Sequence, residues 1–168
     1  MSNVESKIIS REISPILWKA GETLCTAESC TSGQISAAIT SVPGSSTYFK
    51  GGIICYTNEI KTKLLGVSQE LLDEKGPVSE EVVKAMLQGA LKQMETTYAV
   101  AITGYAGPGG GPEAPVGTIW IAVGDLNEMV VEKLEGDEGR DMNLAKATLV
   151  ALQMLLDLLK KRHPAEEE

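Results

Sequence analysis

Ser29 is the hydroxyl in this sequence whose surroundings best suit nucleophilic chemistry. A short β-tolerant run, Thr23 to Ala27, passes through Glu28-Ser29-Cys30-Thr31-Ser32-Gly33 into Gln34–Thr40, where Ile35, Ala38 and Ile39 recur at helical spacing. Ser29 therefore falls at the carboxyl end of a strand, just ahead of a helix that starts near Thr31. The unpaired N–H groups at such a helix start, together with the helix dipole, favour developing negative charge and would serve as oxyanion donors. Simple capping of the helix by Ser29 and Thr31 is the competing explanation. Cys30 is a second nucleophile to weigh, because a helix N-terminus lowers a thiol pKa.

A nucleophile needs a base, and the base is not a histidine near it. The only histidine, His163, stands beside Pro164 at the other end of the chain, which excludes a Ser-His-Asp triad and a histidine-ligated zinc site. Lysine, tyrosine or a carboxylate must take the proton. Asn58 is placed to cap a helix with Glu59 in its first turn and Leu64 and Leu65 as its apolar edge, closed by Gly66. Lys61 would then sit in the first turn, where the positive helix end disfavours a cation. A solvated surface lysine is the plain alternative.

A third feature is the run from Thr103 to Pro112, Thr-Gly-Tyr-Ala-Gly-Pro-Gly-Gly-Gly-Pro, lying between two strands. It exposes backbone N–H groups and lets a ligand approach the main chain, although it could also be a flexible connection. It lacks the Gly-Lys-Ser/Thr ending of a P-loop and does not fit the dinucleotide fingerprint.

The elements that must position these residues follow from periodicity. Val4, Ile8, Ile9, Ile13 and Leu17 predict an amphipathic helix over residues 3–20, kinked or restarted at Ser14-Pro15 and ended by Gly21. Val42-Pro43-Gly44-Ser45-Ser46 is a loop, and residues 48–57 form an extended segment in which Gly51-Gly52 marks a bulge or a close approach. Residues 68–75 give a short helix, and Ser79 caps another whose apolar face runs from Val82 to Met94. Strands follow at 98–103, 117–123 and 129–134, the last two joined by a hairpin-length loop. A long helix at 143–161 ends in Lys160-Lys161-Arg162, and residues 163–168 form an acidic, frayed tail. The pattern predicts an α/β domain over residues 1–162, with a mixed, mostly parallel and mostly buried sheet.

Composition bounds the function. The chain has 168 residues, 43% of them hydrophobic, enough for one core without disulfides. A formal net charge of −8 argues against nucleic acid or an anionic membrane as a partner. No signal-like region opens the sequence and nothing in it approaches a transmembrane span, so a cytoplasmic location is expected. Cys25, Cys30 and Cys55 show no metal or redox spacing, and neither a metal nor a cofactor is expected.

Three blocks, taken together, resemble the CinA C-terminal family, the PncC-type nicotinamide mononucleotide deamidases. They are Ala27-Glu28-Ser29-Cys30-Thr31; Val42-Pro43-Gly44-Ser45-Ser46 running to Tyr56-Thr57-Asn58-Glu59-Ile60-Lys61; and residues 103–111 with Pro115-Val116-Gly117-Thr118. The resemblance implies a three-layer α/β/α domain that hydrolyses nicotinamide mononucleotide to nicotinate mononucleotide and ammonia in pyridine nucleotide salvage. It places the nucleophile at Ser29 and its activating partners at Tyr56 and Lys61. Substrate contacts are expected from Glu28, Cys30, Thr31, Ser32, Gly33, Thr103, Gly104, Gly107, Gly109, Gly110 and Arg140. The partner would be a small nucleotide, and a homo-oligomer is expected. Longer family members carry a further domain before this one.

Two departures stand out. Ser32 occupies a position where the family usually has glycine, and only Arg140 remains of the arginines that usually follow Gly136-Asp137. They favour a rival reading, a nucleotide-binding module that has lost the reaction and acts as a regulator or partner subunit. Intact Ser29, Tyr56 and Lys61 favour the enzyme.

Overall fold

The computed structural model describes residues 2–165. Helix α1 (Ser2–Ala20) leads to strand β1 (Leu24–Glu28), and α2 (Gln34–Thr40) connects it to β2 (Phe49–Ile54). Helices α3 (Asn58–Leu65), α4 (Gln69–Lys75) and α5 (Glu80–Met94) precede β3 (Tyr98–Gly104). Strands β4 (Ile119–Gly124) and β5 (Met129–Leu134) and helix α6 (Arg140–Arg162) complete the chain. The sheet order is β2-β1-β3-β4-β5. Strand β1 pairs in parallel with β2 and β3, whereas β3–β4 and β4–β5 are antiparallel. Strands β1, β2, β3 and β5 therefore run one way and β4 runs against them.

Each face of the sheet is covered, giving three layers. Leu24, Val100, Ile102, Ile119, Ile121 and Val123 pack against Ile13 and Leu17 of α1, Ile35 and Ile39 of α2, and the leucines of α6. Cys25, Ala27, Ala99, Ala101 and Ala122 face Val82, Val83, Met86, Leu87 and Ala90 of α5, with Leu65 and Leu72 beside them. The period-two alternation of β1 and β3 divides large aliphatic from small residues. The α5 layer can thus approach the strands closely, while α1 and α6 fill the deeper face.

Several elements differ from the sequence reading. Helix α1 runs through Pro15 without a restart. Its proline is exposed, so the missing N–H is lost on the solvent side. The cap of α3 is Thr57, whose hydroxyl accepts from Ile60 N–H, and not Asn58. Helix α6 begins at Arg140, three residues before the apolar pattern does. By length and composition it is also apolar enough to span a membrane, contrary to expectation. Its leucines, among them Leu152, Leu155 and Leu159, are buried against the sheet, which makes it a core helix. His163 is tied to the domain, with Nε2 2.9 Å from Glu22 Oε2, so the tail does not begin there. Residues 166–168 of that tail lie outside the described residues.

At Gly51-Gly52 the expected bulge is present, and the close approach is made by side-chain hydroxyls and not by another backbone. The β1–β2 register shifts between Leu24 and Cys25, and a Cβ on Gly52 would lie 2.3 Å from Thr26 Oγ1 and 2.6 Å from Ser36 Oγ.

Candidate active site

The chain leaves β1 through α2 over one face toward β2, then crosses the other face through α3 to α5 and returns as β3 on the far side of β1. The carboxyl end of β1 is therefore a topological switch point, where neighbouring connections diverge and open a crevice. Ser29 follows β1 there, and the glycine loop follows β3. Ser29 N–H still donates to Ile102 O at 3.1 Å, which fixes the turn to the neighbouring strand.

Strand alternation sorts the next two side chains. Glu28 emerges on the α2 face and Ser29 on the α3 face. From α3, Lys61 reaches back toward its own helix N-terminus, the direction in which helical side chains point. Its Nζ donates to Ser29 Oγ at 3.0 Å and approaches the main-chain carbonyl of Tyr56 at 3.5 Å. Lys61 is 2% and Ser29 5% exposed. Burial of the ammonium pushes the Lys61 pKa below its ordinary value, with the Cys55 and Cys30 thiols opposing weakly. A lysine with no carboxylate partner among the described residues, held on a serine hydroxyl, is suited to accept that hydroxyl's proton.

The Glu28 side chain turns to α2. Its carboxylate, 1% exposed, accepts from Thr31 Oγ1 at 2.8 Å, Ile35 N–H at 2.9 Å, Ser36 N–H at 3.0 Å and Ser36 Oγ at 2.6 Å. It caps α2 from within the protein and consumes the helix N–H groups expected to serve as oxyanion donors. The N–H groups of Cys30, Thr31 and Gly33 remain, with no oxygen partner among the described residues. Helix α2 also begins at Gln34, several residues after Ser29, because residues 29–33 form a separate turn.

Cys30 is buried beside the serine. It packs in the core, and burial pushes its thiol up to about 12. The helix effect expected to activate it is outweighed by desolvation. Ser32 is exposed and takes φ +47°, the left-handed region its position imposes, and Gly33 follows at φ +98°.

The Tyr56 phenol does not join the Ser29–Lys61 pair. The side chain is 54% exposed, and its hydroxyl accepts from Arg140 Nη2 at 3.3 Å. Arg140 Nη1 donates to Gly107 O at 2.6 Å. Arg140, at the start of α6, thereby links the end of β2 to the glycine loop after β3, across the end of β1. Thr103 is buried and donates to Pro77 O at 2.8 Å. A Cβ on Gly104 would meet Ile119 at 2.5 Å. Both positions serve packing. Gly109 and Gly110 are exposed in the loop.

Glu113, which no sequence motif marks, joins the loop to the α4–α5 connection. The one available signal was its being the only charge between Gly104 and Trp120.

The fold and the site define an α/β domain with a serine–lysine pair at the carboxyl ends of parallel strands. Residues 6–159 match the CinA C-terminal domain, and the chain belongs to that family. It is 46% identical over 134 residues to the nicotinamide-nucleotide amidohydrolase PncC of Pseudomonas putida, covering 79% of this chain and 84% of that one. Against the protein of the same name from Escherichia coli K12 it is 42% identical over 157 residues, 92% of this chain and 95% of that one. The crystal structure of the competence/damage inducible protein CihA from Agrobacterium tumefaciens superposes with a TM-score of 0.88 at 38% identity, covering 92% of this chain and 95% of that chain. The chain spans about a third of the length of the CinA-like proteins it also matches, 34% of that from Synechococcus sp. CC9902.

Proposed function

We propose that this chain is a nicotinamide-nucleotide amidohydrolase that converts nicotinamide mononucleotide to nicotinate mononucleotide and ammonia, acting as a cytoplasmic enzyme. The observation that carries the reading is the buried Lys61 Nζ at 3.0 Å from Ser29 Oγ. The PncC relatives, similar over most of their length, supply the substrate class.

In the proposed reaction neutral Lys61 takes the Ser29 proton as Oγ attacks the carboxamide carbon. The tetrahedral oxyanion is met by the N–H groups that follow Ser29, Cys30 first, each such donor being worth about 3 kcal/mol. Lys61 then passes the proton to the departing nitrogen and ammonia leaves. Water, activated by the same amine, cleaves the resulting ester and frees the acid. Arg140 is the cation proposed to hold the nucleotide phosphate, exchanging the Gly107 carbonyl and Tyr56 hydroxyl for phosphate oxygens. Tyr56 would then face the substrate and take no part in the proton relay.

The test is ammonia release from nicotinamide mononucleotide by the purified chain. Ser29→Ala should reduce it by about a thousandfold or more, while Cys30→Ser stays active. The reverse outcome would identify the sulfur as nucleophile.

One observation favours a second reading. Ser29 is nearly sealed, and a cavity of about 630 Å3 lies between α1, α2 and α6 near Lys7, Ala37 and Thr148, with Ser29 not in its lining. A binding module would take up the nucleotide in calorimetry and release no ammonia.

A further inference from the structure

We infer that Glu113 is a positioning residue which clasps the glycine loop to the α4–α5 connection and so sets the affinity for the nucleotide. This rests on the reading of the loop as part of the nucleotide site. Glu113 Oε1 accepts from Tyr105 O–H at 2.7 Å and from Val78 N–H at 3.1 Å. The two donors belong to different parts of the molecule: Tyr105 opens the loop, whereas Val78 precedes α5.

Two glycines are shaped around the clasp. A Cβ on Gly76 would lie 2.5 Å from Glu113 Cδ, and one on Gly111 would lie 2.1 Å from the Tyr105 hydroxyl. The Tyr105 ring is thus held between Gly111 and the carboxylate, and the carboxylate seats over Gly76. Across the same junction Thr103 donates to Pro77 O, so the start and the far limb of the loop are fastened to one short segment. The tip, from Pro108 to Gly110, is exposed, as are Pro112 and Pro115 on the far limb.

The clasp is incomplete. Glu113 Oε2 is buried and has no partner among the described residues. A buried carboxylate oxygen without a donor weakens the attachment. The near limb of the loop is also held from α6, by Arg140 on Gly107 O at 2.6 Å and Asn143 on Ala106 O at 3.0 Å, whereas the side-chain attachment of the far limb to the α4–α5 connection rests on the two bonds to Glu113 Oε1.

The variants separate the clasp from general stability. Glu113→Gln keeps an oxygen for both donors, whereas Glu113→Ala removes it. Glu113→Ala should raise KM for nicotinamide mononucleotide about tenfold, the loss of a charge-assisted hydrogen bond, with kcat nearly unchanged, and Glu113→Gln should restore most of the affinity. Hydrogen exchange should quicken at Gly109–Gly111 in Glu113→Ala alone, with β3 as slow as in the wild type. A fall in kcat at unchanged KM, or unaltered exchange in the loop, would overturn the clasp. A wild type that releases no ammonia would refute the amidase reading; the clasp would then be read from calorimetric affinity for the same nucleotide and from exchange. Unchanged affinity in Glu113→Ala, or no wild-type binding, would overturn it.

Discussion

Lys61 Nζ and Ser29 Oγ lie 3.0 Å apart although 32 residues separate them in sequence, and both side chains are buried. The contact depends on β1 and α3 meeting at the carboxyl edge of the sheet. Its consequences for protonation are open to direct measurement.

Because burial lowers the Lys61 pKa, the rate constant should rise with pH through an apparent pKa below the free-lysine value of about 10.4. Lys61→Met should remove that limb together with most of the rate. Stability follows pH in the same direction, but the substitution that removes the rate should raise stability. Between the lowered folded pKa and about 10.4 the unfolded chain binds the extra proton, so wild-type stability rises with pH across that window. Lys61→Met should thus be more stable than wild type at pH 7, with the gap closing toward pH 10. Urea denaturation at both pH values checks this, and a wild-type-like pH–rate profile in Lys61→Met would reduce Lys61 to a structural residue.

Glu28→Gln should cost about 1–3 kcal/mol, because an amide nitrogen replaces one of two oxygens that both accept backbone N–H bonds. It should also lower kcat, since the turn that carries Ser29 is anchored through Thr31 to the same carboxylate. KM should change little. A large KM effect with unchanged stability would instead make Glu28 a substrate contact.

Gly109 and Gly110 separate ligand approach from loop integrity. A Cβ on Gly109 meets nothing within 4 Å, while one on Gly110 would lie 2.6 Å from Val116 N. Neither has a positive φ. Gly109→Ala should leave stability unchanged and weaken nicotinamide mononucleotide binding if the main chain there touches the phosphate. Gly110→Ala should disturb the loop with or without ligand. Calorimetry with the nucleotide and with nicotinamide riboside decides it, and equal affinity of wild type for the two would remove the loop from phosphate binding.

Ser32→Gly should raise stability by about 0.5–1 kcal/mol, since a serine at φ +47° bears a left-handed backbone penalty that glycine avoids, partly offset by glycine's greater freedom when unfolded. The exposed hydroxyl makes no described bond to offset the loss. A lower denaturation midpoint for Ser32→Gly would show that the side chain contributes more than its backbone strain costs.

The sequence by itself determined the layered α/β class, the strand–turn–helix around Ser29, the absence of a histidine base at the site and the membership that its three blocks resemble. These are local or compositional properties: apolar periodicity reports which face an element buries, and a residue type is present or it is not. Which groups meet was decided only by the tertiary structure. The Glu28 carboxylate turns to α2 because alternation in β1 sends it to that face, and it takes the N–H groups that local reasoning assigned to an oxyanion. The Cys30 thiol pKa is raised because a core closes over it, a desolvation that neighbouring residues do not encode. Tyr56 pairs with Arg140, 84 positions away, and Glu113 with Val78 across 35. Such pairings depend on sheet order and on the crossover that brings β3 beside β1, long-range choices whose energy comes from burying both faces of the sheet and leaves no periodic mark at the residues themselves.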